Sequence, residues 1–289
     1  MKQAILITAY KNYSHLENII KFFDADFQIY IHMDKKSYVS ERDLIQFKSY
    51  YQVKIFTQKY KVNWGGLNHL KSIIHLLELA SRDEKNQYFH LISGHDYPIK
   101  SLNQFKNFFL DNKELSYLEY FEVPFDGWGN NGGLGRLEYF NLFDVFNYKD
   151  SREVRWINKA LAYQKKIGFK RSFPNWFPQV YGGSTWWSLS KKAVEFVKDF
   201  QTKHPGYLKR FRHTLCSEEF YFQTILMNLP IKEKIINDNL RYIDWAPRNG
   251  NNPAVLDLTD LENLKYSNAF FARKFDFPVS GELLEHLKN

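Results

Sequence analysis

Along the first hundred residues the apolar positions switch repeatedly between two periods. An unbroken apolar run from Ala4 to Ala9 predicts a buried strand, and after a polar turn Leu16, Ile19, Ile20 and Phe23 recur at helical spacing. Phe27 to His32 predicts a second strand, ending in Met33-Asp34-Lys35-Lys36. Strand, helix, strand is a right-handed parallel unit. Val53 to Thr57 predicts a third strand, and Leu67, Leu70, Ile73, Ile74 and Leu77 mark the apolar face of a helix. Tyr88 to Ser93 predicts a fourth strand that runs into Gly94-His95-Asp96-Tyr97-Pro98. This alternation predicts an α/β fold, a mostly parallel central sheet with helices on both faces, whose ligands lie beyond the carboxyl ends of the strands. Asp34 and Asp96 both fall at that edge.

The second half changes character. Residues 126–135, Asp-Gly-Trp-Gly-Asn-Asn-Gly-Gly-Leu-Gly, form a glycine-rich loop around Trp128 with Arg136 just beyond it. It lacks the preceding strand and following Lys-Ser/Thr of a phosphate-binding loop, and is expected to be a flexible lid over a cleft. Between Ser151 and Phe177 cationic and aromatic residues concentrate, which reads either as a solvated helix with its loop or as an amphipathic insertion touching acceptor or membrane. Tyr181 to Ser190 reads as turn and strand, with Ser190 capping a helix from Lys191. Cys216-Ser217-Glu218-Glu219-Phe220 reads as a helix start with Ser217 as N-cap, leading into the apolar Phe220, Tyr221, Phe222, Ile225 and Leu226. Asn239 to Trp245 predicts a further strand, and Phe270 to Asp276 places Arg273 and Lys274 between aromatic anchors.

Length and composition narrow the class. The 289 residues are expected to form one domain, with 1–123 as a nucleotide-binding half and 124–289 as an acceptor and catalytic half. The formal net charge of +8 suits an anionic partner, and no basic run is dense enough for a nucleic-acid arm. Cys216 is the only cysteine, which excludes an internal disulfide and a multi-thiolate zinc site and points to a reducing compartment. No stretch of about 18 apolar residues occurs, and the N-terminus enters its strand without a cleavage signal, so a cytoplasmic chain is expected.

Each candidate residue has a plain structural explanation beside its chemical one. Glu218 and Glu219 complement a helix dipole, yet an ionised, positioned carboxylate is also what a general base must be. Asp34 and Asp96 are turn formers or, equally, acceptors for the hydroxyls of a nucleotide and a sugar. Trp64-Gly65-Gly66 is a core tryptophan before a helix start or a pocket wall with close backbone approach. Arg273 and Lys274 suit a diphosphate, the first as a bidentate fork and the second as a point charge.

The segments His32-Met33-Asp34-Lys35-Lys36-Ser37, Trp64-Gly65-Gly66, Ser93 to Lys100, Gly182 to Trp187, Ser217-Glu218-Glu219-Phe220, Leu240 to Trp245 and Phe271 to Asp276 stand in series over most of the chain. In this order they resemble the core-2/I-branching N-acetylglucosaminyltransferase and peptide O-xylosyltransferase family. The resemblance implies a GT-A type nucleotide-sugar-binding fold, a UDP-sugar donor, inversion to a β-linked product and no metal or other cofactor. By position, Glu219 matches the catalytic base, Asp34 the uridine-site acid, and Arg273 with Lys274 the diphosphate cations. Asp96 and Trp245 match positions near the donor sugar and the acceptor. His32, Trp64, Gly65 and Arg248 join the donor side, and Trp128, Arg136 and Trp186 the acceptor side. The chain departs from the animal enzymes at Asn251, near which they carry a further phosphate-contacting arginine. It also lacks their bracing cysteines, anchor and stem. A bacterial, cytoplasmic enzyme is therefore expected, acting on a growing saccharide or lipid-linked oligosaccharide, with peripheral contact at the inner membrane face and no nucleic-acid partner. Asp24-Ala25-Asp26, the nearest Asp-X-Asp, precedes its strand and reads as a loop. A metal-dependent GT-A transferase and a catalytically silent carbohydrate-binding module are the alternative readings.

Overall fold

A computed structural model describes residues 1–129 and 131–288, so Asn130 of the glycine-rich loop lies outside the described residues. The strands in chain order are β1 (Lys2–Ala9), β2 (Phe27–Met33), β3 (Val53–Thr57), β4 (Asn86–Ser93), β5 (Asp96–Pro98), β6 (Ser116–Leu118), β7 (Phe121–Glu122), β8 (Tyr181–Gly182), β9 (Trp187–Ser190), β10 (Ile235–Ile236), β11 (Arg241–Ile243) and β12 (Phe271–Arg273). Seven of them form the central sheet in the order β10-β6-β9-β4-β1-β2-β3. β4, β1, β2 and β3 run parallel, and β9 runs antiparallel between β4 and β6.

The strand period of two explains the layers. In β1, Ala4 and Leu6 point to one face and Ile5 and Ile7 to the other, and all four are fully buried. The first face packs on the helices Leu67–Ala80, Lys191–Lys203 and Tyr221–Met227, and the second on Tyr13–Phe22 and Leu102–Asp111. Both cores are thus filled from a single sheet, as the alternating pattern predicts. The halves at 1–123 and 124–289 share it, because β9 is inserted between β4 and β6. Ser40 and Ser101 cap helices through complete capping boxes, and Ser190 caps its helix by accepting from Ala193 N–H at 3.3 Å.

Two expectations differ from the structure. Ser217 does not cap a helix. Ser217–Glu219 is a 3₁₀ turn entered through Cys216 at φ +51°, and the α-helix begins at Tyr221. Cys216 N–H donates to Gly65 O at 3.0 Å, and that tether draws the chain away from helical geometry. The glycine-rich loop is closed on itself, with Phe125 N–H donating to Gly132 O at 2.9 Å and the Trp128 ring packed on Phe121 and Phe220.

A smaller sheet, β11-β12-β5, lies against the carboxyl end of the large one. Arg241 joins them. Its buried guanidinium donates to Ser188 Oγ, Leu91 O and Trp187 O, each at 2.9 Å, and also to Asn239 O. Arg241→Met removes these donors together, and an equilibrium denaturation series is expected to show a loss of about 3 kcal/mol.

Candidate active site

The site is built where β1, β2 and β4 end. Asp34 follows β2, and its Oδ1 accepts from Lys36 N–H at 2.9 Å and Val62 N–H at 3.1 Å, so one carboxylate oxygen pins two loops. Lys36 Nζ stands 3.6 Å from the other oxygen. His32 lies one turn of the pleat earlier and is buried. Burial lowers its pKa to about 4, and its neutral ring accepts from Tyr60 N–H at 3.0 Å, which fixes the loop beside Asp34. His32 is thus placed as a support for this edge and not as a surface group.

β5 and β12 pair antiparallel with Arg273 opposite Asp96, which brings chain ends 177 positions apart into one ion pair of 3.1 Å. Asp96 also accepts from Ser93 N–H. The Arg273 side chain, 12% exposed, stacks its guanidinium 4.1 Å from the centre of the Trp186 ring. Trp186 is therefore buried beneath a cation, which is a different position from the acceptor contact expected of it. Burial lowers the pKa of Arg273, opposed by Asp96 and Glu219. Lys274 follows, half-buried, with no ion pair among the described residues. Burial and then Arg273 lower its pKa, and Lys149 adds a further like charge. Asp96 and Asp276 oppose that fall.

Glu219 enters from the opposite wall. Its turn is held from two sides, by the Cys216–Gly65 bond and by Gly183 N–H donating to Glu219 O at 2.9 Å. Gly183 has no substitute, since a Cβ there would lie 1.9 Å from Glu119 O. At Gly65, φ +75°, a Cβ would lie 2.6 Å from Leu215 Cδ1 and 3.1 Å from the Phe143 ring. Arg136 Nη1 donates to Glu219 Oε2 at 2.5 Å and stacks 4.1 Å from the centre of Trp128. Arg136 and Trp128 therefore orient the carboxylate. Glu219 Oε1 has no hydrogen-bond partner among the described residues. Burial raises the Glu219 pKa to about 7, with Glu218 adding to the rise and Arg136 opposing it, although the side chain keeps 27% exposure. The group is enclosed by protein yet open along one side.

Glu218 turns the other way. Its Oε1 lies 2.9 Å from His69 Nδ1, and the His69 Nε2 lies 3.5 Å from Thr8 Oγ1 on β1. Nothing in the spacing of the chain marks His69 as this partner. Arg248, grouped with the donor side, is instead held by Asp257 and Asp260 at 2.7 Å and Asp244 at 3.3 Å. Three carboxylates saturate its guanidinium and raise its pKa, so it braces the 244–260 loop. Trp64 is exposed and leans on Tyr148 at 4.7 Å and Phe143 at 5.8 Å. Trp245, 67% exposed, stands at the rim beyond β11. Asp24 and Asp26 lie before β2, away from this edge, and Lys106 bridges both. Beside Arg136 opens a cavity of about 630 Å³, lined also by Tyr139, Phe143, Tyr148, Asn158 and Lys165.

The fold is of the α/β class with a mostly parallel central sheet, and the comparisons with known proteins give its family. The profile described as Core-2/I-Branching enzyme matches residues 4–266, and the chain belongs to that family. Among its relatives are mouse Xylosyltransferase 1, 26% identical over 96% of this chain and 29% of that protein, and rat Xylosyltransferase 2, 27% identical over 89% and 30%. The chain spans under a third of the length of these curated relatives. Among solved structures, S. aureus TarS 1-349 in complex with UDP-GlcNAc overlaps 41% of this chain and 34% of that one, at 16% identity and TM-score 0.32. So partial an overlap has no bearing on function.

Carbon-detected NMR titration of the glutamate side chains is expected to show one carboxyl, Glu219, with its midpoint near pH 7. In Arg136→Met that midpoint moves upward, because the cation that favours the charged form is gone.

Proposed function

We propose that the protein is an inverting glycosyltransferase that moves a sugar from a UDP-sugar to a hydroxyl of a saccharide or lipid-linked oligosaccharide, forming a β-glycosidic bond without a metal. One observation carries this reading: Glu219 is a partly enclosed carboxyl with one oxygen held by Arg136 and the other without a partner among the described residues, in a chain that sets the Arg273–Asp96 pair at the end of the strands where nucleotides bind in such sheets. Membership of the branching-enzyme family and the xylosyltransferase names of its relatives agree with it.

In the proposed reaction, Oε1 of ionised Glu219 accepts the proton of the acceptor hydroxyl as that oxygen bonds to the anomeric carbon. The bond from that carbon to the diphosphate oxygen breaks on the opposite face. UDP leaves with the electron pair. Arg136 holds Oε2, so one carboxylate oxygen is anchored while the other faces the reactant. Arg273, locked between Asp96 and Trp186, and Lys274, unpaired, meet the charge that grows on the departing diphosphate. In this reading Asp34 serves the uridine, Asp96 the hydroxyls of the transferred sugar, and Trp245 the acceptor. The candidate sugars are N-acetylglucosamine, xylose, glucose and galactose. In a bacterial setting the product belongs to a surface polysaccharide or glycoconjugate, made in the cytoplasm.

Release of UDP from a panel of these four UDP-sugars, with and without acceptor, tests the reading. Glu219→Gln is expected to lower turnover by roughly 100-fold or more with UDP affinity near normal. Lys274→Ala is expected to weaken UDP binding by about tenfold, the scale of one lost charge-assisted contact, with an unchanged melting temperature. The rate of the native enzyme should rise with pH through about 7, as Glu219 loses its proton. Undiminished turnover in Glu219→Gln overturns the assignment of the base.

A further inference from the structure

The helix Ser151–Lys166 carries a surface that the proposed chemistry does not use. It turns about 100° per residue, which places Arg152, Arg155, Trp156, Lys159, Tyr163 and Lys166 on one side, and all six are exposed. Ile157 and Gln164 are buried on the opposite side. Trp156 is 58% and Tyr163 64% exposed, with Lys159 Nζ lying 4.9 Å from the Trp156 ring centre. Just past the helix Ile167 is 56% exposed, and Phe169, stacked on Phe140 at 5.7 Å, is 39% exposed. The acids at this end of the helix are engaged: Asp150 caps it and pairs with Arg152 at 3.4 Å, and Glu153 turns inward to accept from Asn147 N–H. Residues 149–171 hold eight lysines and arginines against those two acids, so +6 of the formal +8 resides in this one stretch.

We propose that this face docks on an anionic lipid bilayer. A face that only meets water carries charges of both signs and few large apolar groups, whereas this one combines cations with tryptophan, tyrosine and isoleucine. Such a combination lies in the plane of a membrane surface: the cations meet lipid phosphates, and the aromatic and aliphatic groups enter the boundary with the acyl chains. The surface is a convex helix with an exposed isoleucine, which does not form the groove or stacking platform that single-stranded nucleic acid requires. Charge complementarity therefore commits the surface to lipid. The inward side of the same helix supplies Ile157, Asn158, Leu161 and Lys165 to the cavity that also holds Arg136. Docking this way sets the bilayer across one helix from that cavity.

Co-sedimentation of the full chain with phosphatidylcholine vesicles, and with vesicles rich in phosphatidylglycerol, tests the proposal. Binding is expected to the anionic vesicles alone and to weaken as salt is added. The double variant Arg155→Glu, Lys159→Glu should lower it by at least about tenfold. Trp156→Ala with Tyr163→Ala should weaken it at unchanged charge, and both variants should keep the native melting temperature. No binding, equal binding by the variants, or equally strong salt-sensitive binding to duplex DNA overturns it. No substrate enters the measurement, so its outcome is separate from that of the donor reading.

Discussion

Burial of opposite charges beneath one cleft is the constraint on which this structure depends. Left alone, a carboxylate as enclosed as Glu219 would stay protonated, and a guanidinium as enclosed as Arg273 would be strongly disfavoured. Each has a compensating partner. Arg136 pulls Glu219 back towards ionisation, but burial prevails and leaves it near 7. Asp96 and the face of Trp186 compensate Arg273 for the water it has lost. Lys274 forms no ion pair among the described residues.

The backbone exists to keep these groups in place. Gly183 passes so close to Glu119 that only a glycine fits, and its N–H fixes the carbonyl of Glu219. Cys216 turns through a left-handed conformation because its N–H is tied to Gly65. The pairing of β12 with β5 sets Arg273 against Asp96, and Arg241 fastens that small sheet to the large one. Arg248 does the same for the 244–260 loop through three carboxylates. Rigid support of this kind fixes the side chains of the candidate site.

The strands and helices of the first hundred residues were legible because each reports its burial through a period, two for β1 and 3.6 for Leu67–Ala80. The edge at which Asp34 and Asp96 lie followed from the same pattern. Burial depth was not legible: His32 and Trp186 look like ligand groups in the sequence, yet one supports a loop and the other a cation. Partners far apart in the chain were also hidden. Arg136 finds Glu219 across 83 positions and His69 finds Glu218 across 149, and no periodicity encodes such meetings. The turn at Ser217 misled for a related reason, because the tether to Gly65 is tertiary and outweighs the local preference for a helix start.

The central claim is that fixed side-chain cations, Arg273 and Lys274, receive the diphosphate. Calorimetric titration of the purified protein with UDP, once in excess EDTA and once in manganese, tests it most directly. The account predicts equal affinity in the two titrations. Binding only with manganese, or no binding in either, would contradict it.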